Sequence, residues 1–455
     1  MLIILSDIHL ADGTCAKPVS QAAFELFIDR LEEMAFNASW RQDGHYRPIE
    51  SIDILLLGDV LETLHSTLWL QSEDGQPHAI RPWSDFRDPA YAQVLEAITA
   101  AILENNAGSL ALLRDLTQKG LGLTPPTRKG EPALKTREQV SVPVRIFYLL
   151  GNHDWYYHLP GTAFEGIRKK IRQAFGLSNP PGAFPHEVRE SAEIQALLDE
   201  YEVYAQHGDL YDSFNYFKEK GRDAASLGDA LGVEVFNRFP LEVEKQMGAD
   251  LPPGIVDSLR ELVNVRPALA VPLWISGQLR QNHVDRKRQE QLKTIWDGLC
   301  KQFLDLPLVR QADRRFRLDL VDVLQLAIRL TDNIPFKTLD ELVVWLRKKM
   351  WGNEISFTRF ALREEAFLKR EARFVVYGHT HHHEVVPLDS ISTGAERTNQ
   401  MYLNSGTWHT YYDLARYKPK EQKFVPYQVL TYLAFYKDGE RGGRHFETWS
   451  GAFSD

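Results

Sequence analysis

Cysteine is scarce in this chain of 455 residues, with Cys15 and Cys300 its only two. Two thiols cannot frame a disulfide scaffold of this size, so the sequence fits a reducing compartment and a cytoplasmic location is the expectation. Long apolar runs are missing as well. No stretch approaches the roughly 20 apolar residues that a membrane-crossing helix needs. The opening run of Met1 to Leu5 is broken by Asp7 and His9, with no basic start or small-residue cleavage site, and reads as a strand. Positive charge is not in excess: 53 Lys+Arg face 62 Asp+Glu, a formal charge of -9. No overall field therefore draws the chain onto nucleic acid or an anionic membrane. Internal repeats and low-complexity tracts are absent too, which argues against solenoids and repeat arrays.

What is present has the composition of an ordinary globular protein, 44% hydrophobic and 25% charged. The length exceeds most single cores, so a catalytic domain carrying a large insertion is expected. Short apolar runs stop at polar residues five times: Leu2 to Leu5 before Asp7, Ile52 to Leu57 before Gly58-Asp59, and Val144 to Leu150 before Gly151-Asn152; then Val203 to Ala205 before His207 and Phe374 to Tyr377 before Gly378-His379. Each reads as a buried strand. Helical patterns lie between them, at Gln21 to Phe36, Tyr91 to Gln118 and Thr162 to Phe175, which predicts an α/β layered core with ligands at the carboxyl ends of its strands.

Two segments interrupt the alternation. Leu121 to Val142, with Pro125-Pro126 and Pro132, reads as surface loop. Residues 218–372 carry apolar residues at helical spacing in Val256 to Val263, Val284 to Phe303, Leu318 to Leu330, Leu339 to Met350 and Phe357 to Phe367. The expected organisation is a core of 1–217 and 373–455 interrupted by a helical insert or cap at 218–372. Strand-like text resumes in Gln400 to Leu403 and Tyr427 to Tyr436.

Every strand end carries chemistry: Asp7-x-His9, Gly58-Asp59, Gly151-Asn152-His153-Asp154, His207-Gly208-Asp209 and Gly378-His379-Thr380-His381. Singly, each is ordinary turn or histidine chemistry. Together, five motifs in one order, each presenting Asp, Asn or His, suit a pair of divalent cations. Imidazole and carboxylate or amide oxygen bind Mn, Fe and Zn without any thiolate. Few charges then oppose four positive ones, so the site stays electropositive toward a phosphate.

This ordered set resembles the calcineurin-like metallophosphoesterase superfamily motif for motif. The resemblance implies two facing β-sheets flanked by helices, interrupted here by the large helical insertion. It implies Asp7, His9 and His381 on a first metal, Asn152, His207 and His379 on a second, and Asp59 bridging both, with manganese favoured and iron or zinc allowed. It further implies a dinuclear phosphoric ester hydrolase, working through a hydroxide held by the metals. In that scheme His153 protonates the leaving group, and Asp154 accepts the other N–H of His153.

The helical insertion before Gly378 is similar in layout to that of UDP-2,3-diacylglucosamine hydrolases. Those enzymes, however, carry arginine where this chain has His153, and their cap is shorter. The substrate class therefore stays open. A nuclease or phosphodiesterase acting on nucleic acid is the alternative; Arg286-Lys287-Arg288 and Arg347-Lys348-Lys349 in the insert could build a local basic path for it. An interaction protein with a vestigial hydrolase core is another.

Around the motifs, Glu62 and His65 read as a solvated helix face. Either His382 or His383 is positioned to line the site. Asp209 and Asp212 read equally as anchors of the site or as structural hydrogen-bonding groups. Trp155, Tyr156, Tyr157 and His158 read as a packed wall, and Asn404 to Trp408 as a supporting turn.

Overall fold

The computed structural model describes residues 1–15, 17–265, 270–315, 356–393, 396–415 and 423–453. The fold is mixed α/β, built on two mixed sheets. In the first, β1 (Leu2–Leu5), β2 (Ile52–Leu57) and β5 (Val144–Leu149) run parallel, with Leu2 opposite Asp53 and Ile52 opposite Val144. An antiparallel strand, β11 (Phe424–Phe435), joins β1 with Ile3 opposite Ala434, and is flanked by β10 (Thr410–Leu414) and β12 (Phe446–Phe453). The second sheet has the order β6 (Val203–Ala205), β7 (Phe374–Tyr377), β9 (Glu396–Asn404), β8 (Glu384–Thr393). Strands β6, β7 and β9 are parallel, and β8 is an antiparallel edge.

Alternation along the strands sets the layers. Leu2 and Ile4 of β1 share one apolar cluster with Val203, Phe374, Val376 and Leu403 of the second sheet, so the sheets face each other. Met1, Ile3 and Leu5 turn the other way, into a cluster with α1 (Gln21–Ala38), α2 (Pro89–Asn105), α3 (Ala107–Lys119) and α4 (Thr162–Phe175). A further helix, α5 (Ala192–Glu200), leads into β6. The remaining face of the second sheet, with Val375, Tyr377 and Tyr402, is covered by Phe357, Ala361 and Phe367.

The single helix expected over Tyr91 to Gln118 is two. Asn106 breaks it, because its side-chain amide donates to Ala11 O at 2.9 Å and Ile102 O at 2.7 Å and holds the backbone outside helical geometry. The expected loop Leu121 to Val142 is closed at its base by a small antiparallel pair, β3 (Leu121–Leu123) and β4 (Val140–Val142).

Residues after Phe217 are helical, as their spacing predicts: α6 (Leu227–Leu231), a π-helical turn (Gly232–Asn237), α7 (Arg238–Met247), α8 (Ile255–Arg260), α9 (Val271–Gln281), α10 (Arg286–Asp305) and α11 (Pro307–Arg315). They build a second hydrophobic core around Phe239, Leu262, Trp274, Trp296 and Phe303. The helices expected at Leu318 to Leu330 and Leu339 to Met350, and the run Arg347-Lys348-Lys349, lie outside the described residues. The last stretch, expected as one helix over Phe357 to Phe367, forms two short ones, α12 (Thr358–Ala361) and α13 (Glu365–Leu368), which cover the second sheet.

Candidate metal centre

All five motifs meet at the carboxyl ends of β1, β2, β5, β6 and β7. The first two loops are laced together beyond their strands, with Asp7 N donating to Gly58 O at 3.0 Å and His9 N to Asp59 O at 3.0 Å. Backbone geometry is unusual at the same places. Asp7, His9, Asp59, His379 and His381 all have left-handed backbone, with φ of 52°, 52°, 52°, 64° and 58°. Such conformations cost of order 1–3 kcal/mol each and gather at functional sites. Two glycines make room. Gly58 has φ of 83°, and a Cβ there would meet His207 Nδ1 at 2.5 Å; a Cβ on Gly151 would meet Asp59 Oδ1 at 2.2 Å.

Six of the seven candidate ligands come together in two overlapping groups, Asp7, His9, Asp59 and His381 in one and Asp59, His207 and His379 in the other; the seventh, Asn152, joins the second group through its Oδ1. In the first, His9 Nε2 and His381 Nε2 face each other at 3.1 Å, and His381 Nε2 lies 3.1 Å from Asp7 Oδ1. His9 Nδ1 is bound to Glu62 Oε2 at 2.6 Å, so its N–H sits there and the Nε2 lone pair points into the group. In the second group, His207 donates Nδ1–H to Leu57 O at 2.9 Å and turns Nε2 toward Asp59 Oδ2 at 3.2 Å and Asn152 Oδ1 at 3.3 Å. His379 places Nδ1 2.8 Å from Asn152 Oδ1, while Asp212 Oδ2 holds its Nε2 at 3.1 Å. Asp212 is thus an anchor of the site, and Asp209 instead pairs with Arg222 at 2.6 Å.

These residues fit divalent cations on three observations. Asp7 Oδ1 is buried and, among the described residues, has no well-directed hydrogen-bond donor, only His381 Nε2 beside it at 3.1 Å. His9 and His207 are held by a carboxylate and a carbonyl at Nδ1 and turn Nε2 into the two groups, the usual arrangement of metal-binding histidines. And the cluster draws in positive charge: although burial works to lower His207, Asp59 and Asp7 push it up to about 10. The nitrogen and oxygen donor set suits Mn, Fe or Zn.

Beside this centre stands His153. Its Nδ1 is gripped by both oxygens of Glu62, at 2.8 and 2.9 Å, and its backbone N–H donates to Asp59 Oδ1 at 2.8 Å. Burial works to lower its pKa, but Glu62 and Asp59 outweigh it and raise His153 to about 9. Two expectations are corrected here. Glu62 is not on a solvated helix face; it is 4% exposed on irregular chain after β2, joining His9 to His153. Asp154 does not hold His153. Its carboxylate accepts from Gly151 N at 2.6 Å, Val60 N at 2.8 Å and the Tyr148 hydroxyl, so it braces the turn itself. Burial first, and then Asp59, raise it to about 6.

His65 is also no solvated residue. The Asn237 amide donates to Leu64 O and Ser66 O at 2.9 and 3.2 Å, so its Oδ1 must accept Nδ1–H of His65 at 2.9 Å. Burial lowers His65 to about 4, leaving it neutral with an unprotonated Nε2. The ring lines a cavity of about 180 Å³ together with Asp59, Asn152, His153, His379 and His381. Leu231, Gly232, Phe236 and Val263 of the helical segment, with Phe214, form its other wall, and among the described residues no lysine or arginine lines it.

Neither His382 nor His383 lines the site: His382 is exposed in the turn before β8, and His383 Nδ1 binds Asn404 O at 3.0 Å. Trp155, Tyr156 and Tyr157 are buried, forming the packed wall. The Asn404 to Trp408 turn braces Asp7, whose carbonyl accepts from Thr407 Oγ1 at 2.8 Å and Trp408 N at 3.1 Å. Among the described residues no helix is long and apolar enough to cross a membrane. No protein-family model and no curated protein matches the chain.

Proposed function

We propose that this chain is a dinuclear metal-dependent phosphoesterase of the calcineurin-like kind, with Asp7, His9 and His381 holding one cation, Asn152, His207 and His379 the other, and Asp59 between them. The observation that carries the reading is the convergence of all seven side chains beside a histidine whose Nδ1 is gripped by a buried carboxylate. Bound there, divalent cations would neutralise a phosphate and lower the pKa of a water.

The protein's own groups supply the rest. Glu62 fixes His153 by Nδ1, which leaves Nε2 to give a proton to the departing oxygen. Leu57 O, Glu62 and Asp212 set the ring orientation of His207, His9 and His379. Among the described residues no basic side chain lines the cavity, and a lining without a cationic track for a polyanionic backbone favours a small phosphorylated substrate over nucleic acid.

Metal-stripped protein assayed on p-nitrophenyl phosphate and bis-p-nitrophenyl phosphate, with Mn, Zn or Mg restored, tests this reading. Activity should return with metal and be absent in Asp59→Asn. Activity of Asp59→Asn at the level of the wild-type chain would overturn it.

A further inference from the structure

The loop that carries His153 runs through a turn of 3-10 helix to His158, and a separate cluster forms there. His158 Nδ1 lies 2.8 and 2.9 Å from the two oxygens of Asp223, and His186 Nε2 lies 2.9 Å from Asp223 Oδ1. The three donor atoms fall within 4.8 Å of one another, and none of these residues lines the cavity described above. Glu190 Oε2 stands 3.7 Å from the far nitrogen of His158.

We propose that His158, His186 and Asp223 form a third, mononuclear site for a divalent cation of the zinc class. The site is independent of the phosphoesterase reading and ties the start of the helical segment to the loop bearing His153. Two imidazoles and one carboxylate are a common zinc donor set, leaving a fourth position for water. Tetrahedral ligands at about 2.0–2.2 Å from zinc lie roughly 3.3–3.5 Å apart, so each imidazole nitrogen needs to move off the Asp223 carboxylate, now 2.8–2.9 Å away, by only about half an ångström. Asp223 is exposed and can make that adjustment, while His186, at 3% exposure, is fixed. Glu190 Oε2 accepts the backbone N–H of His186 at 3.1 Å, which ties a second carboxylate to the edge of the cluster.

The donors come from three stretches of chain far apart in sequence, and their meeting place is a junction. Arg222, next to Asp223, donates to Asp209 Oδ1 at 2.6 Å and to His186 O at 3.0 Å. Nearby, Trp155 Nε1 and the Tyr156 hydroxyl donate to Asp229 Oδ1 at 3.1 and 2.9 Å. Two residues past Asp229 begins the apolar wall of the cavity, at Leu231. A cation on Asp223 would stiffen the link between that wall and His153. Because the site is half open to solvent, its ion should exchange faster than those of the buried centre.

The test is metal stoichiometry of the full chain, stripped and then equilibrated with Zn²⁺, dialysed and measured by inductively coupled plasma mass spectrometry. His158→Gln and Asp223→Asn change partly exposed residues, and circular dichroism checks that both fold. Each should carry one equivalent less than the wild-type chain, and zinc should raise the Tm of Asp59→Asn more than that of Asp59→Asn combined with Asp223→Asn. Equal zinc content in the wild-type chain and both variants overturns the proposal. A single equivalent that survives Asp59→Asn and vanishes in Asp223→Asn would uphold this site while removing the basis for the dinuclear centre.

Discussion

Glu62→Gln tests the central electrostatic argument. One carboxylate grips His153 at 2.8 and 2.9 Å and His9 at 2.6 Å, and His153 is raised from 6.5 to about 9 against the pull of burial. A unit charge about 4 Å away at an effective dielectric of 20 is worth about 4 kcal/mol, or about three pKa units. Removing it while keeping the shape should therefore drop His153 by about two to three units, to near or below neutrality. The sign follows from the role. A general acid works only while protonated, so kcat falls as pH rises through its pKa. The alkaline limb of the kcat profile should move down by about two to three units in Glu62→Gln. Bound cations lower the limb in both proteins, so the difference between them is the quantity read. Metal content measured alongside separates this from loosening of His9. An alkaline limb that stays in place, with both metals retained, would refute the assignment of His153 as the acid held by Glu62.

Other substitutions separate the remaining roles. His153→Ala should keep both metals and lose about 10²–10⁴-fold in kcat, most for substrates with poor leaving groups; loss of metal would mark His153 as a ligand instead. His65→Phe fills the same space without the Nε2 acceptor, so it should raise KM for substrates bearing a hydroxyl or amino donor near the ester while sparing p-nitrophenyl phosphate; equal effects on both would refute an acceptor role. Asp154→Ala leaves two backbone N–H groups and the Tyr148 hydroxyl without their acceptor, at about 1–3 kcal/mol each. A clear fall in denaturant midpoint is expected, and unchanged stability would contradict the bracing role.

The strands were legible because buried parallel strands are short apolar runs with nothing else in them, and the motif residues followed each one directly. The edge strands were harder. Strand β8 carries Pro387 and a bulge between Pro387 and Asp389, features of an edge that weaken any periodic signal. At the site, Asp7, His9, Asp59, Asn152, His207, His379 and His381 meet because each ends a strand of one pair of sheets. The partner of His153 was not legible. Asp154 is its neighbour in sequence, yet the turn directs that carboxylate back to Gly151 and Val60, and Glu62 reaches in from the end of the adjacent strand β2. The signal available was the spacing of Glu62 three residues after Asp59 on a chain that leaves β2 without entering a helix. Likewise His65 depended on Asn237, 172 residues away, which no local pattern could supply.

The left-handed backbone at Asp7, His9, Asp59, His379 and His381 restricts which residues can ever stand there. Glycine adopts that shape freely, and Asn, Asp and His tolerate it better than branched or bulky side chains. A lineage that abandoned the metals would thus be steered, at these five positions, toward asparagine and glycine long before valine or leucine. The loops would keep a fossil outline of the centre after its chemistry was gone. For the bench the same restriction means that Asp→Asn isolates the lost charge, whereas Asp→Val would also refold the turn.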